Sequence, residues 1–179
     1  FSKFSQQVAS KGFGIALPIS SPGLANDKVV DELLRGLSRS PLPARLLHLM
    51  VNCEVLQSDD EKIDSNLKRL RDSGCQLILS HVGRDLDIFK HVSRQRFSYI
   101  IVDEELISNV HCNLMDEMMV TIIHGHAQRQ SLQTIAGPAD MPMVMDTLSG
   151  IGIDLIFGEA VTQPTPLEIL LNTSYFAIN

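Results

Sequence analysis

Residues 46–80, LLHLMVNCEVLQSDDEKIDSNLKRLRDSGCQLILS, hold the pattern on which the fold turns. The two ends of this stretch, 46–52 and 76–80, are short and almost continuously apolar, the signature of strands covered on both faces in a parallel sheet. Between them, 59–73 carries apolar side chains at helical spacing, with Ile63, Leu67 and Leu70 forming one stripe. Ser58 and Asp59 stand where an N-cap belongs, and Gly74 stands where the helix should stop. Strand, amphipathic helix, strand is one crossover unit of a parallel α/β sheet.

The unit repeats in both directions. Toward the N terminus, a strand at 14–19 precedes a helix at 26–39, capped by Asn26 and striped by Leu33, Leu34 and Leu37. Toward the C terminus, strands at 98–102, 131–136 and 153–157 alternate with helices at 84–94, 104–127 and 139–149, the last ended by Gly150. After Pro164 and Pro166 come a short helix at 167–171 and a last extended piece at 175–178. No linker or low-complexity tract interrupts the series, which predicts one domain over 1–179. Six such units wind into an open sheet or close toward a barrel, and periodicity alone does not choose. A full eight-unit barrel takes about 250 residues, so 179 residues leave this chain one or two units short.

Composition narrows the function. Fifteen basic against twenty-one acidic side chains give a net charge of -6, with no basic stripe interleaved with aromatics, which argues against a nucleic-acid surface. Cys53, Cys75 and Cys112 are odd in number and far apart, so reduced thiols and a cytoplasmic setting are expected. No apolar run reaches the roughly 18 residues of a membrane span. The chain opens at Phe1, not methionine, so the expectation is a longer parent protein, which has room for a membrane anchor of its own.

Isolated groups carry little chemistry. His124 and His126 are two apart near a helix end and point in different directions, which argues against a shared metal. Asp59, Asp60 and Glu61, like Asp103, Glu104 and Glu105, fall in first helical turns, where the dipole favours carboxylates. Ser80 and His81 suggest a nucleophile and base, yet neighbours along a strand are expected on opposite faces. Met141, Met143 and Met145 read as core filler rather than as a contact surface.

The order of the pieces is more specific. Residues 42–54 (LPARLLHLMVNCE), 74–83 (GCQLILSHVG), 97–103 (FSYIIVD), 134–140 (TIAGPAD) and 157–166 (FGEAVTQPTP) follow one another as do LPPERLELEITE, GvrialDDFG, vDylKID, viAEGVE and QGYlfgrPlp in EAL domains. The chain therefore resembles the EAL family of cyclic-di-GMP phosphodiesterases over essentially its whole length. The resemblance implies a TIM-like (β/α) barrel whose N-terminal strand-helix unit, bearing the EAL residues, is missing from this chain. It also implies a family site in which carboxylates and an asparagine at strand ends hold two Mg²⁺ or Mn²⁺ ions that activate water. In this frame the family's metal-site asparagine falls on Pro18, and the first glutamate of EITE on Met50. The two aspartates of DDFG fall on Ser80 and His81, the lysine of KID on Ile101, the first glutamate of AEGVE on Gly137 and the QGY glutamine on Phe157. Asp103 and Gly83 keep the family's residue and are read as architectural.

Hard divalent ions need oxygen ligands, and Pro18, Met50, Ile101, Gly137 and Phe157 offer no ionisable group. The resemblance thus implies a degenerate domain with no catalytic residue, no bound metal and no cofactor. Two roles follow. One is regulation by contact with a protein partner or with upstream domains of the same protein, resembling the CsrD-like regulators. The other is a receptor that binds cyclic di-GMP without cleaving it, resembling FimX-like proteins, with Arg84 placed beside the altered motif to meet a phosphate. A homodimer stays open, as does a small metal-free enzyme built on His81.

Overall fold

Wherever the sequence runs apolar for four to seven residues, the chain extends and pairs in parallel. The computed structural model describes residues 4–58, 60–95 and 97–172. Among them, six strands, β1 (Ile15–Ile19), β2 (Leu47–Asn52), β3 (Gln76–Val82), β4 (Tyr99–Val102), β5 (Gln133–Ala136) and β6 (Leu155–Ile156), form one sheet in sequence order. Every pairing is parallel, as short βα crossovers require. The layout is that of a TIM-like barrel left open between β1 and β6.

Nine α-helical segments lie among the described residues: α1 (Ser5–Lys11), α2 (Ser21–Leu24), α3 (Asp27–Arg39), α4 (Glu61–Asp72), α5 (Phe89–Gln95), α6 (Glu104–Ile107), α7 (Leu114–Arg129), α8 (Pro142–Ile151) and α9 (Leu167–Asn172). The expected stripe of Ile63, Leu67 and Leu70 on α4 is buried, at 5% exposure or less. One face of the sheet meets this outer layer. Leu47, Leu49 and Val51 of β2 alternate with His48, Met50 and Asn52, which face the barrel interior and are only half buried. Asn66, fully buried on α4, ties the layer together: its amide donates to the Leu24 carbonyl at 2.8 Å and to Asp27 at 2.9 Å, and its oxygen accepts from Arg69.

Several boundaries differ from expectation, each for a local reason. The cap of α4 is Asp60, whose carboxylate accepts from the Lys62 N–H at 2.9 Å, in place of Ser58; Asp59 lies outside the described residues. Helix 104–127 is two helices. Asn113 caps a fresh start by accepting from the N–H groups of Met115 and Asp116, so α7 begins at Leu114 after a turn. Strand 131–136 starts two residues late, because Ser131 is left-handed (φ 58°) and Leu132 still bonds back to the Ala127 carbonyl. Gly150 sits inside α8, and it is Gly152 (φ 93°) whose left-handed conformation ends the helix. Met141 and Met143 are 46% and 61% exposed instead of core, while Met145 packs against the core as expected. The extended piece at 175–178 lies outside the described residues.

Candidate functional site

A parallel barrel delivers the last side chains of all its strands to one end, the mouth. Register fixes who meets whom there: Pro18 stands beside Met50, Asn52 beside Ser80 and Ile101 beside Ile135. Gly137 follows β5 and Phe157 follows β6. Pro18, Met50, Ser80, His81, Ile101, Gly137 and Phe157 together line one cavity of ≈ 520 Å³. The same wall holds residues that sequence reasoning did not single out as mouth residues, among them Ser20, Asn52, Asp103, Glu104 and Pro138. Their only signal was position, at the C-terminal ends of strands.

Gly137 and Phe157 are fitted to each other. A Cβ at 137 would lie 2.4 Å from the Phe157 carbonyl oxygen and 2.7 Å from its ring, so no larger side chain enters without displacing the backbone after β6. The space where a glutamate would project is occupied by an aromatic ring.

Ser80 and His81 overturn the expectation that they face apart. β3 shifts register between Leu79 and Val82, and His81 takes a left-handed conformation (φ 60°). That twist brings its Nδ1 to 3.1 Å from the Ser80 hydroxyl. The Ser80 hydroxyl also reaches the Val51 carbonyl at 3.2 Å, and in the tautomer protonated at Nδ1 it donates there and accepts from the ring. In that arrangement the serine is not set up as a nucleophile. The Cys53 thiol donates to the His81 carbonyl at 3.0 Å and holds the bulge from below. Burial, then the carboxylates of Glu54, Asp103 and Asp85, push that thiol above its ordinary pKa, which keeps it a proton donor.

The charged side chains lining the mouth are acidic. Asp103 caps α6 by accepting from the Glu105 N–H at 2.9 Å, and Glu104 follows it in the first turn. Arg84, expected to reach toward a phosphate, does not line the cavity; its guanidinium is bound to Asp116 at 2.5 Å, a carboxylate only 3% exposed at the start of α7. A half-exposed arginine here neutralises a buried acid, which would be costly to leave alone.

The other candidate groups are structural. His124 bonds through Nδ1 to the Thr134 hydroxyl at 2.7 Å, while His126 stacks on Phe89 at 5.1 Å, so the two rings serve different neighbours. Asp154 accepts from the Thr134 N–H at 2.7 Å and hydroxyl at 2.8 Å, joining β5 to the start of β6. Burial opposes its ionisation, but these bonds, the Gln128 amide and the nearby His124 outweigh burial and hold its carboxyl below the ordinary pKa.

Comparison with known proteins agrees with this geometry. A family model described as "EAL domain" matches residues 1–164. All 179 residues align at 50% identity with an Escherichia coli K12 protein described as "Probable diguanylate cyclase DgcE", of which they cover 16%. The chain spans 16 to 21% of the length of the curated relatives it matches. The solved FimX EAL domain of Xanthomonas citri in complex with c-diGMP superposes with a TM-score of 0.81 at 16% identity, covering 93% of this chain and 68% of that one. The solved EAL domain of Mycobacterium smegmatis DcpA gives 0.84 at 18% identity, covering 96% of this chain and 78% of that one. At such identities these two likenesses are of fold.

Proposed function

The chain belongs to the EAL domain family, and from that premise we propose that it is a non-catalytic regulatory domain of a cyclic-di-GMP signalling protein, working through contact with other protein surfaces. The observation that carries this reading is the lining of the mouth. Pro18, Met50, Ile101, Gly137 and Phe157 supply no ligand for a hard cation, and the two carboxylates present, Asp103 and Glu104, follow one another at a single strand end. Among the described residues, no three His, Cys, Asp or Glu side chains are grouped to hold a metal ion. The residues at the mouth therefore do not fit a two-metal centre. Uncatalysed phosphate-ester cleavage is slow enough that an enzyme must supply on the order of 20 kcal/mol, and an apolar mouth has nothing of that size to give.

The same lining disfavours the receptor reading. A cyclic dinucleotide brings two phosphates, and burying them beside Asp103 and Glu104, with no lysine or arginine on the wall among the described residues, lacks the countercharge such ligands need. A curated relative at 50% identity carries the name of a cyclase, not of a phosphodiesterase, which fits a domain that adds no hydrolysis. Titration calorimetry with cyclic di-GMP, with and without Mg²⁺, together with chromatographic assay of product, tests the proposal. Neither heat nor cleavage is expected. Micromolar binding without cleavage would replace contact by ligand sensing, and cleavage would end the reading altogether.

A further inference from the structure

The barrel lumen holds a second cavity, at the end where the strands begin. It measures ≈ 620 Å³, within the size range of small-molecule sites. Register partners divide it from the mouth: Met50 and Ile101 line the mouth, whereas Ile78 and Ile135 beside them line the floor, and no residue lines both.

This end of a parallel barrel is ordinarily filled by inward side chains of its strands. Here β1 contributes Ala16, with Gly14 just before the strand, and neither reaches across. Gly14 is matched to its neighbour. A Cβ at that position would lie 2.7 Å from His48 Nε2, so any larger residue would push the ring out of its place.

The opposite wall is made of hydrogen-bond donors. Arg45, His48, Gln76 and Tyr99 stand at the starts of β2, β3 and β4, inner strands away from the opening between β1 and β6. The His48 and Tyr99 rings brace each other at 5.5 Å. Gln76 uses its oxygen to accept from the Ser98 hydroxyl at 2.5 Å, which leaves both N–H groups of its amide to donate. Burial lowers the pKa of His48, so its ring is neutral near pH 7. Among the described residues, Arg45 is then the one charge on this wall, and it joins no ion pair. No carboxylate among them lines the cavity. Leu46, Ile78, Ile135 and Leu155 give the rest of the lining an aliphatic character.

We propose that the barrel floor is a binding site for a small monocarboxylate with an apolar body. The Arg45 guanidinium takes the carboxylate, the Gln76 amide and the Tyr99 hydroxyl donate beside it, and the aliphatic wall covers the body. The inference does not rest on the reading of the mouth, with which this cavity shares no residue.

Hexanoate is the probe, and hexanol is its uncharged counterpart. The chain has two tyrosines, Tyr99 and Tyr175, so NMR of the 179-residue chain with ring-labelled tyrosine gives two sets of signals, which Tyr99→Phe tells apart. Hexanoate should shift the Tyr99 signal saturably, and hexanol should bind at least about tenfold more weakly. Arg45→Gln, in an exposed turn, should weaken hexanoate at least about tenfold with circular dichroism kept. Ala16→Leu should fill the cavity and abolish the shift; if that variant fails to fold, Arg45→Gln carries the test. No saturable shift up to about 20 mM hexanoate, hexanol binding as tightly as hexanoate, or an affinity that ignores Arg45→Gln overturns the proposal. The cyclic-di-GMP titration reads the mouth, so either reading can fail alone.

Discussion

Along β2, β3 and β4 the outward side chains Leu49, Val51, Leu79 and Ile100 are at most 1% exposed, whereas Leu17, in the same outward row on β1, is 36% exposed. The residue types and the strand pattern are the same in both places. What differs is the neighbours: inner strands have a strand on each side and helices over them, while β1 and β6 face the opening. An aliphatic run thus specifies a strand, and the strands beside it specify how deeply that run is buried.

This contrast can be broken at its strongest point. Ile100→Ala should cost about 2–5 kcal/mol, because the cavity it leaves is closed on all sides, and Leu17→Ala should cost less, about 1–2 kcal/mol. Urea unfolding of both variants measures the gap; equal losses would mean that the opening is better filled than the exposures say.

Exposure alone does not make the rim loose, and Gly137→Ala sharpens that distinction. Phe157 is 46% exposed, yet the added methyl would strike its carbonyl and ring. The expected loss is about 1–3 kcal/mol in the same unfolding experiment, and an unchanged midpoint would show that the strand end yields freely.

The smallest effect is titration at the junction of β5 and β6. Asp154 has a folded pKa below its ordinary value of 3.8, so its bonds to Thr134 contribute stability above that value, and the contribution fades as pH falls through the lower folded value. Unfolding midpoints compared between about pH 6 and pH 3 should fall more steeply for the native chain than for Asp154→Asn. Parallel slopes would assign acid sensitivity to other carboxylates.

The six strands were legible because continuous aliphatic runs have few alternatives, and the mouth was legible because a family frame places residues at strand ends. The misreadings share a cause. His81 turns toward Ser80 through a left-handed twist that no residue type at that position announces, and Arg84 is drawn away by Asp116, thirty-two positions later and seemingly part of an ordinary first turn. Met141 and Met143 read as core because apolarity marks a residue for burial without saying whose surface buries it. Asn113 was readable as a cap, with Asp116 and Glu117 following it, but a run of apolar residues on either side hid the break.

Pro18 is the fourth of the five residues of β1, at one edge of the sheet, and β6 at the other edge is two residues long. A proline within an edge strand is tolerated where its missing N–H points away from the paired neighbour, so the margin of β1 away from β2 lacks a donor at that position. The other margin is too short to guide a foreign strand into register. Any strand laid along that margin of β1, from this chain or another, must therefore do without a bond at Pro18.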